Sequence, residues 1–226
     1  MPTEIEADIH EFRDWVFRYR PAHGVPDRVV VMLHGWTGNE NSMWFFTRFI
    51  PEGVAIIAPR APFSDPKGGY TWRRIDPGTW RYPTIEDLRP SLEALLGFIN
   101  DWSLSENIDF RQLDLVGFSQ GAALAYAITI LNPGRVCSLT ALSGFIPDGA
   151  TILFKPHQLE GKPVFVAHGR EDTLVPMEQA RRAVKLLEMS GAKVRYCEST
   201  GGHKVSKLCL GEMKKCFEVN LIRSVT

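Results

Sequence analysis

Three side chains that together suit acyl-transfer chemistry each follow an apolar run of the sequence. Ser119 comes after "LDLVGF", Asp172 comes shortly after "PVFVAHG", and His203 lies in the glycine-rich stretch "STGGHKVS". A serine hydroxyl is a weak nucleophile unless a base removes its proton, and that base needs an acid to hold its tautomer. The sequence therefore predicts Ser119 as nucleophile, His203 as base and Asp172 as the orienting acid.

The glycines on both sides of Ser119 indicate a sharp turn. Residues 117–121 read G-x-S-x-G, with a strand pattern before them and a helix pattern after them. That is the context in which a nucleophile elbow occurs, and glycine relieves the collisions that side chains at these two positions would make. A strand-to-helix turn without a catalytic role is the alternative interpretation.

Other histidines and carboxylates suit these roles less well. His34 and His168 each precede a glycine at the end of a strand pattern, and His34 is expected to support its turn by a hydrogen bond. Glu171 is interpreted as a solvated neighbour of Asp172, because the shorter side chain before the Thr-Leu-Val-Pro turn is the common acid of such a loop. For His203, a satisfied surface histidine is the alternative.

Two backbone N–H groups are predicted to hold the oxyanion of a tetrahedral intermediate. Gln120 follows the nucleophile and begins the next helix, whose positive end is directed at the reaction centre. The second N–H is assigned to Trp36 in "LHGWTGNEN", where Gly35 lets the chain turn after a strand. Loss of one such donor costs about 10²- to 10³-fold in rate.

Apolar runs of strand length alternate with helical patterns along most of the chain. The alternation predicts an α/β protein with a mostly parallel central sheet and helices on both faces, and the chain order Ser, Asp, His is that of the α/β-hydrolase fold. The earlier stretch "IHEFRDWVFRYRPA" predicts one or two antiparallel edge strands. The strand patterns cover Arg28–Gly35, Val54–Arg60, Leu113–Ser119, Ser138–Gly144, Pro163–Gly169 and Lys193–Ser199, and the helix patterns cover Asn41–Phe49, Ile85–Trp102, Gln120–Leu131, Met177–Ser190 and Lys204–Asn220.

One irregular segment, Ala61–Pro83, interrupts this alternation. It is rich in proline, glycine and aromatic residues, which favours an ordered loop that is either functional or folded onto the core. Later in the chain, only about fifteen residues separate "LSGF" from "GKPVFV", too few for a helical cap. The acyl site is therefore expected to be open and shallow, and the side chains expected to line it are those of Trp36, Trp72, Phe118 and Phe145.

The charges of the chain balance. Its 226 residues include 26 Lys and Arg and 26 Asp and Glu, so no overall field attracts nucleic acid or an anionic membrane. The length predicts a single domain over residues 1–226. No apolar run reaches about 18 residues and the first residues include acidic ones, so we expect a soluble cytoplasmic protein without stable membrane insertion. Arg73 and Arg74 are interpreted as solvated surface charges, with contact to an acidic substrate group as the alternative.

The four cysteines, Cys137, Cys197, Cys209 and Cys216, show no C-x-x-C spacing. This argues against a zinc site or a disulfide scaffold, and reduced thiols are expected. Cys209 and Cys216 lie seven residues apart and are expected to share one face of a helix.

The segments "VMLHGWTGNEN", "APRAPF", "GFSQGAALAYA", "AHGREDTLVP" and "GGHKVS" together resemble the phospholipase/carboxylesterase family of α/β hydrolases, which includes the acyl-protein thioesterases. The resemblance runs from about Val29 to the C-terminus. It implies an α/β-hydrolase fold without a large cap domain and a serine hydrolase of carboxylic esters. Ser119, Asp172 and His203 would form the triad, and no metal or cofactor would be needed. The expected partner is a small-molecule ester, and the expected assembly is a monomer or a homodimer.

Two positions depart from parts of the family. The oxyanion loop His-Gly-Trp-Thr-Gly-Asn-Glu is closer to the bacterial carboxylesterases than to the thioesterases, and Ala122 stands where many members carry glycine. The first departure, with the shallow site, favours esters of short to medium acyl chains over protein thioesters and lysophospholipids. The second is expected to be neutral. A non-catalytic binding protein on a hydrolase scaffold is the alternative from a different class.

Overall fold

Ten strands are present in the described part of the chain. The computed structural model describes residues 9–23, 28–75, 81–108 and 110–222, with the helical backbone alone for 220–222. The strands are β1 (Ile9–Phe12), β2 (Trp15–Arg20), β3 (Arg28–Leu33), β4 (Ile56–Pro59), β5 (Phe63–Ser64), β6 (Tyr70–Thr71), β7 (Gln112–Phe118), β8 (Val136–Leu142), β9 (Pro163–Gly169) and β10 (Lys193–Ser199).

Eight of these strands form the central sheet, in the order β1-β2-β4-β3-β7-β8-β9-β10. The pairs from β4 to β10 are all parallel, whereas β2 is antiparallel to both β1 and β4. Strands β5 and β6 form a separate antiparallel hairpin. The carboxyl ends of the six parallel strands therefore meet at one edge of the sheet, where α/β folds place their sites.

Helices cover both faces of the sheet. The α-helices are α1 (Ile85–Ser105), α2 (Gln120–Leu131), α3 (Met177–Met189) and α4 (Lys207–Ile222), and short 3-10 helices cover Trp44–Phe49, Pro133–Arg135 and Ala150–Leu153. Buried residues of α1, α2 and α3 belong to one apolar cluster, and those of α4 belong to a second.

The alternation of strand side chains explains why there are two clusters. In β3, Val29, Val31 and Leu33 pack with the first cluster, whereas Val30 and Met32 pack with the second. A strand directs successive side chains to opposite faces, so a strand covered on both faces must be apolar throughout. All five of these side chains are fully buried.

The predicted fold class is confirmed, and most element positions agree with their patterns. The N-terminal stretch forms two antiparallel strands, and α1 begins with a capping box, in which Thr84 and Asp87 bond reciprocally. The connection between β8 and β9 is irregular except for the short 3-10 helix at Ala150–Leu153, so no large cap covers the sheet there.

Three expectations about the elements differ from the structure. The helix predicted over Asn41–Phe49 is a 3-10 helix limited to Trp44–Phe49, and the last helix begins at Lys207 rather than at Lys204. The irregular segment Ala61–Pro83 contains the β5–β6 hairpin, and residues 76–80 of it lie outside the described chain. Two-residue strands carry too few side chains for alternation to be visible in the sequence.

The expectation of four reduced thiols is wrong. Cys197 in β10 and Cys209 in α4 form a disulfide with a Cα–Cα distance of 5.7 Å, whereas Cys137 and Cys216 take no part in one. Cys197 and Cys209 lie 12 residues apart in the sequence, a spacing that matches no cysteine motif. The two residues meet because the fold places β10 beside the start of α4. Cys209 and Cys216 both lie on α4, and both pack with the second cluster.

Candidate active site

Ser119 lies at the turn between β7 and α2 in a backbone conformation that is rare for a side chain-bearing residue. Its φ is 53° and its ψ is −115°. The Ser119 N–H donates to the Leu142 carbonyl at 2.9 Å, and the Ser119 carbonyl accepts from Ala122 and Ala123 at the start of α2. These bonds hold the turn open to the carboxyl edge of the sheet.

Glycine is required on both sides of this turn. A Cβ on Gly117 would lie 2.4 Å from the Gly121 carbonyl oxygen, and a Cβ on Gly121 would lie 2.1 Å from that of Leu33. Real Cβ atoms do not approach backbone atoms so closely. A third glycine, Gly144, leaves room for the methyl group of Ala122, which would be 2.3 Å from a Cβ at position 144.

The structure brings Ser119, His203 and Asp172 together from three separate elements. His203 Nε2 lies 2.9 Å from Ser119 Oγ, and His203 Nδ1 lies 2.7 Å from Asp172 Oδ2. If Nδ1 carries the proton, it donates to the carboxylate while Nε2 accepts the serine hydroxyl proton. This is the arrangement in which a serine can be activated by a base.

Asp172 is fixed by the turn that follows β9. Its Oδ1 accepts the N–H groups of Leu174 at 3.0 Å and Val175 at 2.9 Å, which leaves Oδ2 for His203. The carboxyl group is fully buried. A buried carboxylate needs such donors, because an unpaired charge in this position would be very costly.

His168 also contacts this carboxylate and was not expected to do so. Its Nε2 lies 2.7 Å from the Val175 carbonyl oxygen and 3.4 Å from Asp172 Oδ2. A ring nitrogen that faces a carbonyl must carry its proton, so His168 donates to this turn. The signal in the sequence was its place four residues before Asp172 at a strand end.

His203 lies in the loop between β10 and α4, which the Cys197–Cys209 disulfide closes. The Phe118 ring packs beside the imidazole, with the ring centroids 5.1 Å apart. The His203 side chain is only 18 % exposed. His203 thus has a covalent link across the ends of its loop and an aromatic ring packed beside its imidazole.

The two residues predicted to bind the oxyanion, Trp36 and Gln120, line the same cavity as Ser119. Gln120 is the first residue of α2, so its N–H has no acceptor within that helix. Trp36 lies in a turn closed by the Gly38 N–H, which donates to the Gly35 carbonyl at 3.0 Å. Its indole N–H donates to Asp65 in the β5–β6 hairpin, so that hairpin braces the Trp36 loop.

His34 supports this loop by a hydrogen bond, as predicted. Its Nδ1 lies 2.7 Å from the Gly35 carbonyl oxygen, and its Nε2 accepts the Ala61 N–H at 3.0 Å. Burial lowers the pKa of His34 to about 4, although the bond to the Gly35 carbonyl opposes that change. The neutral ring therefore joins the ends of β3 and β4 near neutral pH.

A cavity of about 340 Å³ opens over Ser119 and His203. The predicted lining residues Trp36, Phe118 and Phe145 are present, and sequence reasoning missed the others. The main apolar side chains of the wall are those of Trp36, Ile75, Tyr82, Phe118, Phe145 and Leu174. A second, more open cavity of about 430 Å³ adjoins it and shares Gly35, Trp36, Thr37 and Phe118.

The prediction that Trp72 lines the substrate pocket is wrong. Trp72 is fully buried in the first cluster, and its indole N–H donates to the His34 carbonyl at 2.8 Å. Its backbone N–H donates to the Gln120 side-chain carbonyl at 2.9 Å. Trp72 therefore anchors the loop to the elbow instead of contacting substrate, since a large aromatic side chain is most stable where both its ring and its N–H are satisfied.

Arg73 and Arg74 differ from each other. Arg74 is exposed, with its guanidinium 4.7 Å from the centre of the Phe63 ring. Arg73 is only 5 % exposed, lines the cavity over Ser119 and donates from Nη2 to the Arg81 carbonyl at 2.9 Å. The interpretation as a solvated charge is thus wrong for Arg73.

The described residues offer neither a metal site nor a helix suited to crossing a membrane. Within them, no three His, Cys, Asp or Glu side chains are grouped in a way that would hold a metal ion. None of their helices has both the length and the apolar character to cross a membrane.

Comparison with known proteins agrees with the fold. The family model described as phospholipase/carboxylesterase matches residues 21–221. Acyl-protein thioesterase 1 of Kluyveromyces lactis is 30 % identical over 177 residues, which cover 71 % of this chain and 76 % of that protein. A probable inactive carboxylesterase of Oryza sativa subsp. japonica is 24 % identical over 182 residues, covering 75 % and 74 % of the two chains.

The solved structure of a Bacillus cereus carboxylesterase is similar, with a TM-score of 0.79 and 20 % identity. The match covers 91 % of this chain and 94 % of that one. At 20 % identity, the similarity to this structure supports only the fold. The assignment to a family rests on the family model that matches residues 21–221. The chain belongs to the phospholipase/carboxylesterase family of hydrolases.

Proposed function

We propose that this protein hydrolyses carboxylic esters, with Ser119 as nucleophile, His203 as base and Asp172 as orienting acid. The observation that carries the proposal is the pair of contacts at His203, 2.9 Å to Ser119 Oγ and 2.7 Å to Asp172 Oδ2. The strained turn at Ser119 and the cavity above it supply access for an ester carbonyl.

The proposed reaction proceeds in two halves. His203 Nε2 takes the Ser119 proton as Oγ attacks the carbonyl carbon, and the N–H groups of Trp36 and Gln120 bind the oxyanion. His203 then returns the proton to the leaving alcohol as the acyl-enzyme forms. Water repeats the sequence on the acyl-enzyme, and the acid product leaves. Asp172 stabilises the imidazolium in both halves and keeps its own charge.

The cavity supports esters of short to medium acyl chain as substrates. Its volume of about 340 Å³ is near the lower end of the about 300–1,000 Å³ of small-molecule sites. A series of p-nitrophenyl esters from acetate to palmitate tests this, and kcat/KM should be highest at the short end. A maximum at palmitate would contradict the size argument.

The role of Ser119 is tested with a fluorophosphonate probe, which labels activated serines. Wild type should be labelled, and Ser119→Ala should lose labelling together with about 10⁴- to 10⁶-fold of its kcat. Ser143→Ala is the control, because Ser143 also has a positive φ at the carboxyl end of a neighbouring strand, although it is fully buried whereas Ser119 is half-buried. Loss of labelling in the control instead would remove Ser119 from the mechanism.

Thioester hydrolysis is the second candidate. The similarity to the Kluyveromyces lactis acyl-protein thioesterase favours it, and the same residues would act on either bond. Lysophospholipids fall under the same chemistry. Wild-type kcat/KM for butyryl thioester, p-nitrophenyl butyrate and a lysophosphatidylcholine separates these substrates, and we expect the oxygen ester of the short acid to be preferred.

A non-catalytic role is the contrasting proposal, since one relative is named as inactive. The complete hydrogen-bonded set of Ser119, His203 and Asp172 supports catalysis, because a binding protein has no need of it.

A small-molecule ester as partner, a monomer or homodimer as assembly, and a cytoplasmic location remain predictions. Disulfides are rare in the cytosol, so the Cys197–Cys209 bond is unusual for that location.

A further inference from the structure

The β5–β6 hairpin and the residue directly after it contact both residues whose N–H groups are predicted to bind the oxyanion. Trp36 lies in the turn after β3, and Gln120 begins α2. The side chains of both are hydrogen-bonded to this one segment of chain. A donor stabilises an oxyanion best when it is already directed to the place where negative charge develops, because reorientation during the reaction costs free energy. The hairpin is therefore placed to set the direction of both donors.

Asp65 connects the hairpin to the Trp36 side chain. Its Oδ2 accepts the Trp36 indole N–H, and its Oδ1 accepts the Lys67 N–H at 2.8 Å. The carboxyl group is buried. A hydrogen bond to a charged acceptor is about twice as strong as one between neutral groups. Because the second oxygen is bonded within the hairpin, the carboxylate holds the indole in one orientation.

Backbone contacts seat the hairpin tightly against the Trp36 loop. The Tyr70 N–H donates to the Gly38 carbonyl at 2.9 Å. A Cβ on Gly69, whose φ is 72°, would lie only 2.0 Å from the Thr37 carbonyl oxygen. Glycine alone allows two backbones to approach so closely in this conformation. A displacement of the hairpin would therefore displace the turn that carries the Trp36 N–H.

The Gln120 side chain is bonded to the other end of the same segment. Its Oε1 accepts the Trp72 N–H at 2.9 Å and lies 3.1 Å from the Thr71 hydroxyl oxygen, which is also 3.0 Å from Gln120 Nε2. All three residues are buried, and an unmade hydrogen bond in such a place costs about 1–3 kcal/mol. Gln120 follows Ser119 directly, so these bonds also restrain the peptide that carries the Gln120 N–H.

We propose that Asp65 and Thr71 are positioning residues of the reaction. Through the Trp36 indole and the Gln120 amide, they hold the two backbone N–H groups in place before the oxyanion forms. This inference rests on the proposed esterase function and goes beyond it by assigning the hairpin a share of kcat. Neither Asp65 nor Thr71 is among the described residues that line the cavity over Ser119, so substrate binding should change little when they are altered.

The test of Asp65 separates kcat from KM. Asp65→Ala should lower kcat for p-nitrophenyl butyrate about 10- to 100-fold, with KM within about 2-fold of wild type, because a misdirected donor costs less than the about 10²- to 10³-fold of a lost one. The inhibitor 1,1,1-trifluoropentan-2-one forms a tetrahedral adduct with an activated serine and places an oxyanion in the same position. Its Ki should rise by the same factor as kcat falls.

Two further variants and a control accompany Asp65→Ala. Thr71→Val deletes only the hydroxyl bonded to Gln120, and it should lower kcat about 5- to 10-fold with a parallel rise in Ki. It also tests the proposal if Asp65→Ala does not fold. Asp65→Asn keeps an oxygen acceptor for the Trp36 indole and should recover part of the loss. Ser64→Ala is the control, because Ser64 is the exposed neighbour of Asp65 in β5 and should leave kcat, KM and Ki unchanged.

Each outcome has a distinct meaning. Wild-type kcat in both Asp65→Ala and Thr71→Val would overturn the inference, as would a fall in kcat without a rise in the Ki of the trifluoromethyl ketone. If Asp65→Asn loses as much as Asp65→Ala, the bond to the indole is not the cause and the role of Asp65 is wrong. If wild type hydrolyses no ester and fluorophosphonate does not label Ser119, the esterase function itself fails, which is a different result.

Discussion

At the residue scale, Ser119 shows how a strained conformation is maintained. Its φ of 53° is one that residues with a side chain seldom adopt. Such a conformation persists only where the surroundings determine it, and here the Leu142 carbonyl accepts the Ser119 N–H while α2 begins immediately after it. The sequence predicts this turn because G-x-S-x-G has few other uses between a strand and a helix.

Gly121→Ala should destabilise the protein severely. The new Cβ would lie 2.1 Å from the Leu33 carbonyl oxygen, and neither backbone can move without shifting β3 or α2. We expect a loss of at least about 3 kcal/mol in the free energy of unfolding, measured by urea denaturation.

Gly97→Ala is the matched control for this substitution. Gly97 is exposed in α1, and a Cβ there would meet no atom within 4 Å. The change should stabilise the protein by about 0.5–1 kcal/mol, because alanine is the better helix former. Similar losses at both glycines would mean that contact with Leu33 does not explain the requirement at position 121.

His34 should make stability depend on pH in a defined window. Burial lowers its folded-state pKa to about 4, from an ordinary value of 6.5. The unfolded chain therefore binds a proton between these values that the folded chain does not bind. His34 contributes its full stabilisation above pH 6.5 and loses it as the pH falls toward 4, at up to about 1.4 kcal/mol per pH unit.

The measurement is the free energy of unfolding at several pH values between 7 and 4.5, for wild type and His34→Gln. The variant is expected to be less stable at pH 7, because it loses the bonds to Gly35 and Ala61, but its stability should fall less steeply with acidity. Carboxylates such as Glu40, whose pKa is lowered chiefly by its bond to Arg60, change the free energy of unfolding at lower pH than this window. If the free energy of unfolding falls equally steeply with pH in wild type and His34→Gln, the assignment to His34 is wrong.

Residue type indicated which side chains would meet at the site better than it indicated how exposed the neighbouring aromatic residues would be. Ser119, His203 and Asp172 were identified because each type has few roles at the end of a strand, and the structure brings them together. Trp72 and Phe118 are both aromatic neighbours of the site, yet one is buried in the core and the other lines the cavity. That difference depends on partners such as the His34 carbonyl, which no local pattern reveals.

At the element scale, the parallel strands were predictable because both of their faces are covered. A strand such as β9, Pro163–Gly169, is then a continuous apolar run and is bounded as the sequence suggests. The β5–β6 hairpin was not predictable, because its two-residue strands are held by contacts with the Trp36 loop. The Tyr70 N–H donates to the Gly38 carbonyl at 2.9 Å, and this contact joins distant parts of the chain.

The Cys197–Cys209 disulfide should stabilise the protein by closing the loop that carries His203. It links β10 to α4 across 12 residues of sequence. A cross-link of this length removes about 3 kcal/mol of chain entropy from the unfolded state. Replacement of both cysteines by alanine should lower the free energy of unfolding by about 2–3 kcal/mol, as measured by guanidinium denaturation.

The control for this prediction is the effect of a reductant on the free energy of unfolding. Cys216→Ala removes a half-buried thiol that takes no part in the disulfide, so reductant should still destabilise that variant as it does wild type. Thiol titration of the unfolded, unreduced chain should find two thiols, and four after reduction. Four thiols before reduction, in protein prepared without reductant, would show that the bond is absent.

At the scale of the whole molecule, the three candidate catalytic residues lie far along the sheet from the aromatic cluster around β2. Ser119, Asp172 and His203 follow β7, β9 and β10, whereas β2 lies near the opposite edge. Around β2, Phe17 packs against Phe98 with ring centroids 4.9 Å apart and against Trp102 at 5.0 Å. This aromatic cluster is formed by the first strands and α1, which contribute none of the three residues of the proposed triad.

Phe17→Ala should therefore reduce stability without changing catalysis. Phe17 is fully buried, and removal of such a ring costs about 3–5 kcal/mol through lost burial and the cavity that remains. The free energy of unfolding should fall by that amount, whereas kcat/KM for p-nitrophenyl butyrate, measured well below the melting temperature, should match wild type.

Ile9→Ala is the control from the same hairpin, because Ile9 is 54 % exposed and should cost less than about 1 kcal/mol. A loss of kcat/KM in Phe17→Ala while the protein is still folded would mean that the edge cluster also holds the catalytic elements in place, and the separation of stability from chemistry would be wrong.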